Sequence, residues 1–165
     1  MSGKKLTVAQ VSFARLMAET VAPPFKRAGF KKQGLNFRLQ TSMSWMVFNI
    51  QKSQWNDAED ISFTGNLGVR FHEVHRLHLL EVGDLPDGPA AESNCHWRAR
   101  LGDLMPEPHD HWWRVIDDRT ADRAARELVP LLDAAIVKLR AVADDVAMQK
   151  SKIEYLRSGG SPYRD

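Results

Sequence analysis

Apolar and polar side chains alternate along two neighbouring runs in the middle of the chain. The apolar members of these runs are Met46, Phe48, Ile50, Ile61, Phe63, Leu67 and Val69. Because successive side chains of a strand point to opposite faces, this period predicts two strands with one buried face and one polar face. A short polar stretch at residues 53–60 joins the runs, so the two strands are predicted to pair antiparallel.

Further alternating runs predict a sheet of about five strands. Residues 35–39 precede the central pair, and residues 95–101 and 111–116 follow it. The first three strands are joined by connections too short for a parallel crossover, which predicts an antiparallel meander. Residues 30–34 contain Lys31 and Lys32 and are predicted to be a basic link before the first of these strands.

The third strand contains two glycines and leads into an ambiguous stretch. We interpret Gly65 and Gly68 as part of a twisted strand end; a bulge or a close backbone approach is the alternative. The following residues, 71–80, fit either a continued strand or a short helix. Glycine and proline then predict a loop at residues 83–89.

Helical periodicity predicts the N-terminal part of the fold. Thr7 and Gln10 have the spacing of a capping box and precede apolar residues at intervals of three and four, which predicts a helix over residues 7–21. Prolines are tolerated in the first turn of a helix, so residues 23–28 are predicted to form a second short helix. Gly29 is expected to end it.

The C-terminal part of the chain has a longer helical pattern. Apolar residues recur at intervals of three and four from residue 118 or 120 to about residue 157, which predicts one long helix. Pro130 is expected to kink or divide it. A pattern of this length also suggests a homodimer formed through the C-terminal helix, as a hypothesis.

Together these elements predict an α+β fold, with an antiparallel sheet of about five strands flanked by an N-terminal helix and a long C-terminal helix. Residues 1–157 are expected to form a single domain and residues 158–165 a flexible tail. Cys95 is the only cysteine, which favours a reducing compartment. No secretory signal pattern and no run of about 20 apolar residues is found, so we predict a cytoplasmic protein with no membrane partner.

The charges are unevenly distributed, although the net charge is only +2. Residues 1–52 carry nine Lys and Arg against one acid, whereas residues 53–165 carry fourteen against twenty. The two halves are expected to face each other and partly neutralise. The alternative is a nucleic-acid surface formed by Lys26, Arg27, Lys31, Lys32 and Arg38. No nucleic-acid-binding motif accompanies these charges, so nucleic acid is the less favoured partner.

The polar positions of the predicted strands form a candidate ligand-binding face. Each of these positions has an apolar neighbour that should point inward. Amide side chains and guanidinium groups on such a face suit recognition of carboxylate or phosphate. The alternative is an ordinary solvent-exposed sheet face that binds no ligand. The candidate residues are Arg38, Asn49, Gln51, Thr64, Asn66, Arg98 and Arg100.

Five of the six histidines recur at short intervals. His72, His75 and His78 are three residues apart, and the His-Glu-x-x-His order of metalloproteases is absent. His109 and His111 would share a face if they lay on a strand, so a metal-dependent enzyme using them with nearby carboxylates remains an alternative. Our preferred interpretation includes no catalytic residue, no metal ligand and no cofactor.

Several short segments resemble a known family. They are GFKK at residues 29–32 leading to Phe37, FNIQKS at 48–53, FT at 63–64 with NLGV at 66–69, WRARLG at 97–102 and the tryptophan pair at 112–113. Together they resemble a bacterial family catalogued as a domain of unknown function, number 4304, over roughly residues 8 to 135. Gly65 departs from the strand-forming residue expected at its position. The resemblance implies a fold, but the family has no assigned activity to carry over.

We therefore predict a non-catalytic binding module for a protein or a small anionic ligand. No complete set of catalytic groups satisfies spacing and geometry in the sequence, which favours binding over catalysis. A metal-dependent enzyme with an unfamiliar histidine site and a nucleic-acid binder that uses the basic N-terminal third are the alternatives.

Overall fold

The protein is built on one antiparallel sheet. The computed structural model describes residues 3–83 and 88–163, and within them the sheet has six strands. The strands are β1 (Lys31–Gln33), β2 (Asn36–Gln40), β3 (Ser44–Lys52), β4 (Ile61–Phe71), β5 (Trp97–Arg100) and β6 (Trp113–Val115). Their order is β1-β2-β3-β4-β5, and β6 pairs with the beginning of β4. The predicted α+β class and antiparallel meander are confirmed.

Three short stretches of the chain fall outside this description. Residues 1–2 of the predicted domain, residues 84–87 of the predicted loop and residues 164–165 of the predicted tail lie outside the described residues.

Five α-helices accompany the sheet in the described residues. They are α1 (Val8–Leu16), α2 (Ala22–Arg27), α3 (His72–Val82), α4 (Asp118–Ala143) and α5 (Val146–Arg157). The predicted capping box begins α1, because the Gln10 N–H donates to Thr7 Oγ1 and the Thr7 N–H donates to Gln10 Oε1. A wide helical turn at Met17–Val21 joins α1 to α2, since Pro23 and Pro24 cannot donate backbone hydrogen bonds there. The ambiguous stretch after the third predicted strand becomes α3.

The apolar face of the sheet packs against α1, α2 and α4. The ring of Phe25 in α2 stacks on Phe48 of β3 with centroids 4.4 Å apart, and Phe13 in α1 meets Phe63 of β4 edge-on at 5.4 Å. The buried stripe of α4 consists of Ala121, Ala124, Leu128, Leu131, Leu132, Ala135, Leu139, Val142 and Ala143. Burial of this apolar surface drives folding. The opposite face of the sheet carries the polar side chains of the strands.

The predicted basic link is wrong, because Lys31–Gln33 pairs with β2 as the edge strand β1. Gly34 adopts a positive φ of 60° in the turn between the two strands. All three side chains of β1 are exposed. An edge strand with no buried side chain has no apolar alternation, and for this reason the sequence pattern gave no sign of it.

The prediction of a single long C-terminal helix is also wrong in detail. The helical stretch breaks at Asp144, and Asp145 then caps α5 by accepting a hydrogen bond from the Met148 N–H at 2.9 Å. Pro130 lies inside α4 without dividing it. The apolar stripe of α4 is buried within the chain, and α5 turns back onto α3. Association through the C-terminal helix stays a prediction, which sedimentation at micromolar concentration tests.

The two glycines of β4 mark close approaches, and our interpretation of a twisted strand end is wrong. An added Cβ at Gly65 would lie 3.0 Å from the ring of Phe48 and 3.1 Å from Leu101. At Gly68 an added Cβ would lie 2.7 Å from Cys95 Sγ. Both glycines therefore keep space open for neighbouring side chains.

Candidate functional site

The strand register brings all seven predicted site residues onto one face of the sheet. Side chains of directly opposed residues in antiparallel strands project to the same face. One row across four strands consists of Asn36, Asn49, Asn66 and Arg100. The neighbouring row consists of Lys31, Arg38, Val47, Gly68 and Arg98. Gln51 and Thr64 face each other on the other side of the first row.

Three asparagines in the first row, Asn36, Asn49 and Asn66, form what we call the amide row. Asn49 Nδ2 donates to Asn36 Oδ1 at 2.8 Å, and Asn66 Nδ2 donates to Asn49 Oδ1 at 3.3 Å. Asn66 Nδ2 also lies 3.0 Å from Gln51 Oε1. The hydroxyl of the buried Thr64 donates to the backbone carbonyl of His111 at 2.9 Å. These groups therefore hydrogen-bond to one another and to the loop before β6.

We expect Asn66→Ala to lower the free energy of unfolding by about 1–2 kcal/mol, because Asn66 is nearly buried and its loss leaves two carbonyl acceptors without their donor. Chemical denaturation measures this change. Gln51→Ala at the exposed end of the same network is the control and should change stability by less than about 0.5 kcal/mol. Equal effects of the two substitutions would contradict a stabilising role for the amide row.

Residues 88–95, which we call the covering segment, lie over the middle of this face. Val47 packs with Ala90 and Cys95 in a small buried cluster, and Trp45 lies against that cluster. Arg38 Nε donates to the Ala90 carbonyl at 2.6 Å. The covering segment thus divides the face into the amide row on one side and a basic region on the other.

The remaining two predicted arginines are held by ion pairs. Arg98 Nε lies 2.6 Å from Glu92 Oε1 in the covering segment. Arg100 Nη1 lies 3.0 Å from Asp110 Oδ1, and its guanidinium group lies 5.6 Å from the Trp112 ring. Both guanidinium groups therefore have carboxylate partners within the chain, whereas Arg38 donates to two neutral acceptors, the Ala90 carbonyl and Gln33 Oε1.

The basic region contains two adjoining clefts, of about 360 and 340 Å³, which together we call the basic cleft. Trp45, Gln40 and Pro89 line both parts. The basic residues of the lining are Lys31, Lys32, Arg38, Arg70, His72, His75 and Arg76. No Asp or Glu among the described residues lines either part. Of the predicted site residues, Arg38 alone belongs to this lining.

Trp45 and Arg70 were not among the predicted site residues, although the alternation along their strands places both on the polar face. Trp45 has the same parity along β3 as Asn49, and Arg70 has the same parity along β4 as Asn66, so both lie on the polar face. Arg70 is only 3 % exposed, and its guanidinium donates to the Gly88 carbonyl at 2.6 Å. Applying the alternation to every residue of the strands, not only to the amides, would have included both.

A set of buried titratable groups lies behind the basic cleft. His96 is buried, and its Nδ1 accepts a hydrogen bond from the Phe71 N–H at 3.1 Å. Burial, followed by repulsion from His75 and Arg70, lowers the pKa of His96 to about 3. The ring is therefore neutral at physiological pH and serves as an acceptor for the last residue of β4.

A family comparison covers most of this architecture. The model of the family described as domain of unknown function DUF4304 matches residues 21–141. The protein belongs to the DUF4304 family. The DUF4304 match includes the sheet, both parts of the basic cleft and most of α4, and it ends before α5. Comparisons with curated proteins and with solved structures give no match.

The histidine pair of this DUF4304 protein lies in the loop before β6 and not on a strand. His109 Nε2 and His111 Nδ1 are 3.1 Å apart. His111 Nε2 lies 3.7 Å from Glu127 Oε2, and the same carboxylate oxygen accepts a hydrogen bond from Trp113 Nε1 at 3.0 Å. Within residues 3–83 and 88–163, no group of three or more His, Cys, Asp or Glu is arranged to hold a metal ion.

Two further findings concern Cys95 and the helices. Burial raises the pKa of the Cys95 thiol to about 12, so this thiol stays protonated and is a poor nucleophile. Among the described helices, none combines the length and the apolar character needed to cross a bilayer.

Proposed function

We propose that this DUF4304 protein is a non-catalytic binding module that takes a small anionic ligand in the basic cleft. The observation that carries the proposal is the concentration of positive charge around Trp45. Lys31, Arg38 and Arg70 contribute three formal charges from the polar face, Lys32 adds a fourth at the same edge of the sheet, and the lining contains no described acid. An anion entering this cleft exchanges water for several cationic donors, which is the usual basis of phosphate and carboxylate recognition.

The hydrogen bonds that position Arg38 and Arg70 support a ligand with a defined binding geometry. Arg70 is held by the Gly88 carbonyl and Arg38 by the Ala90 carbonyl, so the covering segment positions both guanidinium groups from one side. Positioned groups lose little conformational freedom on binding, which favours affinity. Arg76 adds less charge, because both of its donating nitrogens contact the carboxylate of Glu73 at 2.6 and 3.0 Å.

Trp45 gives the cleft an apolar surface beside its charges. Its side chain is half-buried at the junction of the two parts of the cleft, next to Pro89. Ligand sites combine apolar walls with a few directed polar groups. We therefore propose a ligand that joins a phosphate or carboxylate group to an apolar or ring portion, with the charged group near Arg38 and Arg70.

The double charge reversal Lys31→Glu/Lys32→Glu is expected to weaken binding of inorganic pyrophosphate, used as a probe in isothermal titration, by about tenfold or more, or about 1.4 kcal/mol. Both side chains are exposed, so the fold should persist. The matched control is Lys4→Glu/Lys5→Glu, which makes the same change at exposed residues outside the cleft and should alter affinity by less than about twofold.

Equal weakening by the two double variants would contradict the proposal, because it would show attraction by net charge alone. Failure of the parent protein to bind pyrophosphate or any member of a panel of small phosphorylated and carboxylated compounds would also contradict it. Tight binding of an oligonucleotide that falls steeply with added salt would instead favour the nucleic-acid alternative.

A further inference from the structure

The His109 and His111 rings face each other through one nitrogen each. His109 Nε2 lies 3.1 Å from His111 Nδ1, and the ring centroids are 5.1 Å apart. Because the centroids are farther apart than these two nitrogens, each nitrogen projects from its ring toward the other ring. The pair lies outside the basic cleft, so an inference about it is independent of the proposed anion site.

The outer contacts of the two rings determine where their protons lie. His109 Nδ1 is 2.7 Å from the Glu107 carbonyl oxygen, which can only accept, so Nδ1 carries the proton and Nε2 presents a lone pair. His111 Nδ1 then donates its proton to His109 Nε2 across the 3.1 Å gap. A metal ion that binds both nitrogens takes the place of this proton, and the proton moves to His111 Nε2, which lies 3.7 Å from the Glu127 carboxylate.

We propose that His109 Nε2 and His111 Nδ1 bind one divalent transition-metal ion of tetragonal preference, Cu²⁺ or Ni²⁺. Metal–imidazole bonds of about 2.1 Å to nitrogens 3.1 Å apart subtend about 95° at the metal. This angle is close to the right angle between neighbouring ligands in tetragonal Cu²⁺ and Ni²⁺ sites. Water fills the remaining positions.

The surroundings of the pair fit this assignment. Metal-bound histidines usually donate their other N–H to a carbonyl or a carboxylate, which are the two partners found at His109 and His111. The His111 side chain is 29 % exposed, and a cleft of about 290 Å³ lined by Trp112 and Glu127 adjoins it. An ion can therefore reach both nitrogens from solvent.

Copper titration of the full chain, followed by electron paramagnetic resonance, tests the proposal. One bound Cu²⁺ is expected to show hyperfine coupling to two equatorial nitrogens in the parent protein and to one in His109→Asn or His111→Asn. Each substitution should also weaken Cu²⁺ binding by about tenfold or more, since even loss of an outer partner commonly has an effect of that size. Thermal unfolding without copper verifies that both variants fold.

Two further variants separate this pair from other copper-binding groups. His78→Asn removes a histidine of α3 that lies outside the basic cleft, and it should leave the two-nitrogen signal and the copper affinity unchanged. Glu127→Gln keeps an acceptor for Trp113 but removes the charge near His111, so it should weaken binding while preserving both nitrogen couplings. Absence of Cu²⁺ binding by the parent, or an unchanged signal in both His109→Asn and His111→Asn, would overturn the proposal.

Discussion

Gly68→Ala is expected to lower the free energy of unfolding by about 3 kcal/mol, the upper part of the usual range for overpacking. The new Cβ would lie 2.7 Å from Cys95 Sγ and 2.9 Å from Cys95 Cβ. Neither contact can relax easily, because Gly68 is paired on both sides within the sheet and Cys95 is fully buried. Chemical denaturation of the purified protein measures the effect.

A double-mutant cycle with Cys95→Gly shows whether the steric contact is the cause. Cys95→Gly alone should destabilise by leaving a small cavity, whereas the double variant should be more stable than the sum of the two single effects implies. Gly3→Ala is the matched control, because an added Cβ there meets nothing within 4 Å. Strict additivity of the two substitutions would show that Gly68 is needed for another reason.

Acidification from pH 7 to pH 4 is expected to remove about 3 kcal/mol of stability through His96 alone, beyond what other groups contribute. The pKa of His96 is lowered from 6.5 to about 3 in the folded protein. Below pH 6.5 the unfolded chain therefore binds a proton that the folded protein does not bind until about pH 3. The contribution is complete above pH 6.5 and is lost progressively as the pH falls toward 3.

His96→Asn isolates this effect. The asparagine Oδ1 can take the place of Nδ1 as the acceptor for the Phe71 N–H, and the variant has no ionisable group at this position. The variant should be less stable than the parent at pH 7, because a ring has been removed, but its stability should fall less on acidification. Urea denaturation at half-unit pH steps measures both profiles. Parallel profiles would contradict the assignment.

The segments that carry the family resemblance include much of the polar sheet face. FNIQKS contributes Asn49 and Gln51, and NLGV contributes Asn66 and Gly68. In the structure these residues join the amide row network or admit the covering segment. The basic cleft includes residues of other segments, Trp45 and Arg70 among them. GFKK, by contrast, contributes Gly29, Lys31 and Lys32 to the lining, so the motifs contain the support of the proposed site and part of its lining.

Regular periodicity made most of the fold predictable. Apolar alternation predicted β2, β3 and β4, and the capping box with its apolar stripe predicted α1, since these patterns reflect the one buried face of each element. Elements without a buried face could not be found in this way. β1 has only exposed side chains, and the break at Asp144 depends on α5 packing back onto α3.

The candidate site was also predictable only in part. Alternation placed Arg38, Asn49, Asn66 and their companions on one face, and the register agrees with that placement. The sequence could not show that residues 88–95 fold over this face, because no local pattern specifies which strand a distant loop covers. That crossing gives Arg38 and Arg70 their backbone partners and separates the basic cleft from the amide row.

The sequence by itself determined the α+β class, the strand faces and the family, because each depends on side-chain order along the chain. Only the tertiary structure decided which polar groups are accessible, which are paired internally and which distant residues meet. The contact between Gly68 and Cys95, the neutral state of His96 and the charge around Trp45 all depend on segments far apart in sequence. Such contacts form only when side chains from distant parts of the chain pack closely together in the folded protein.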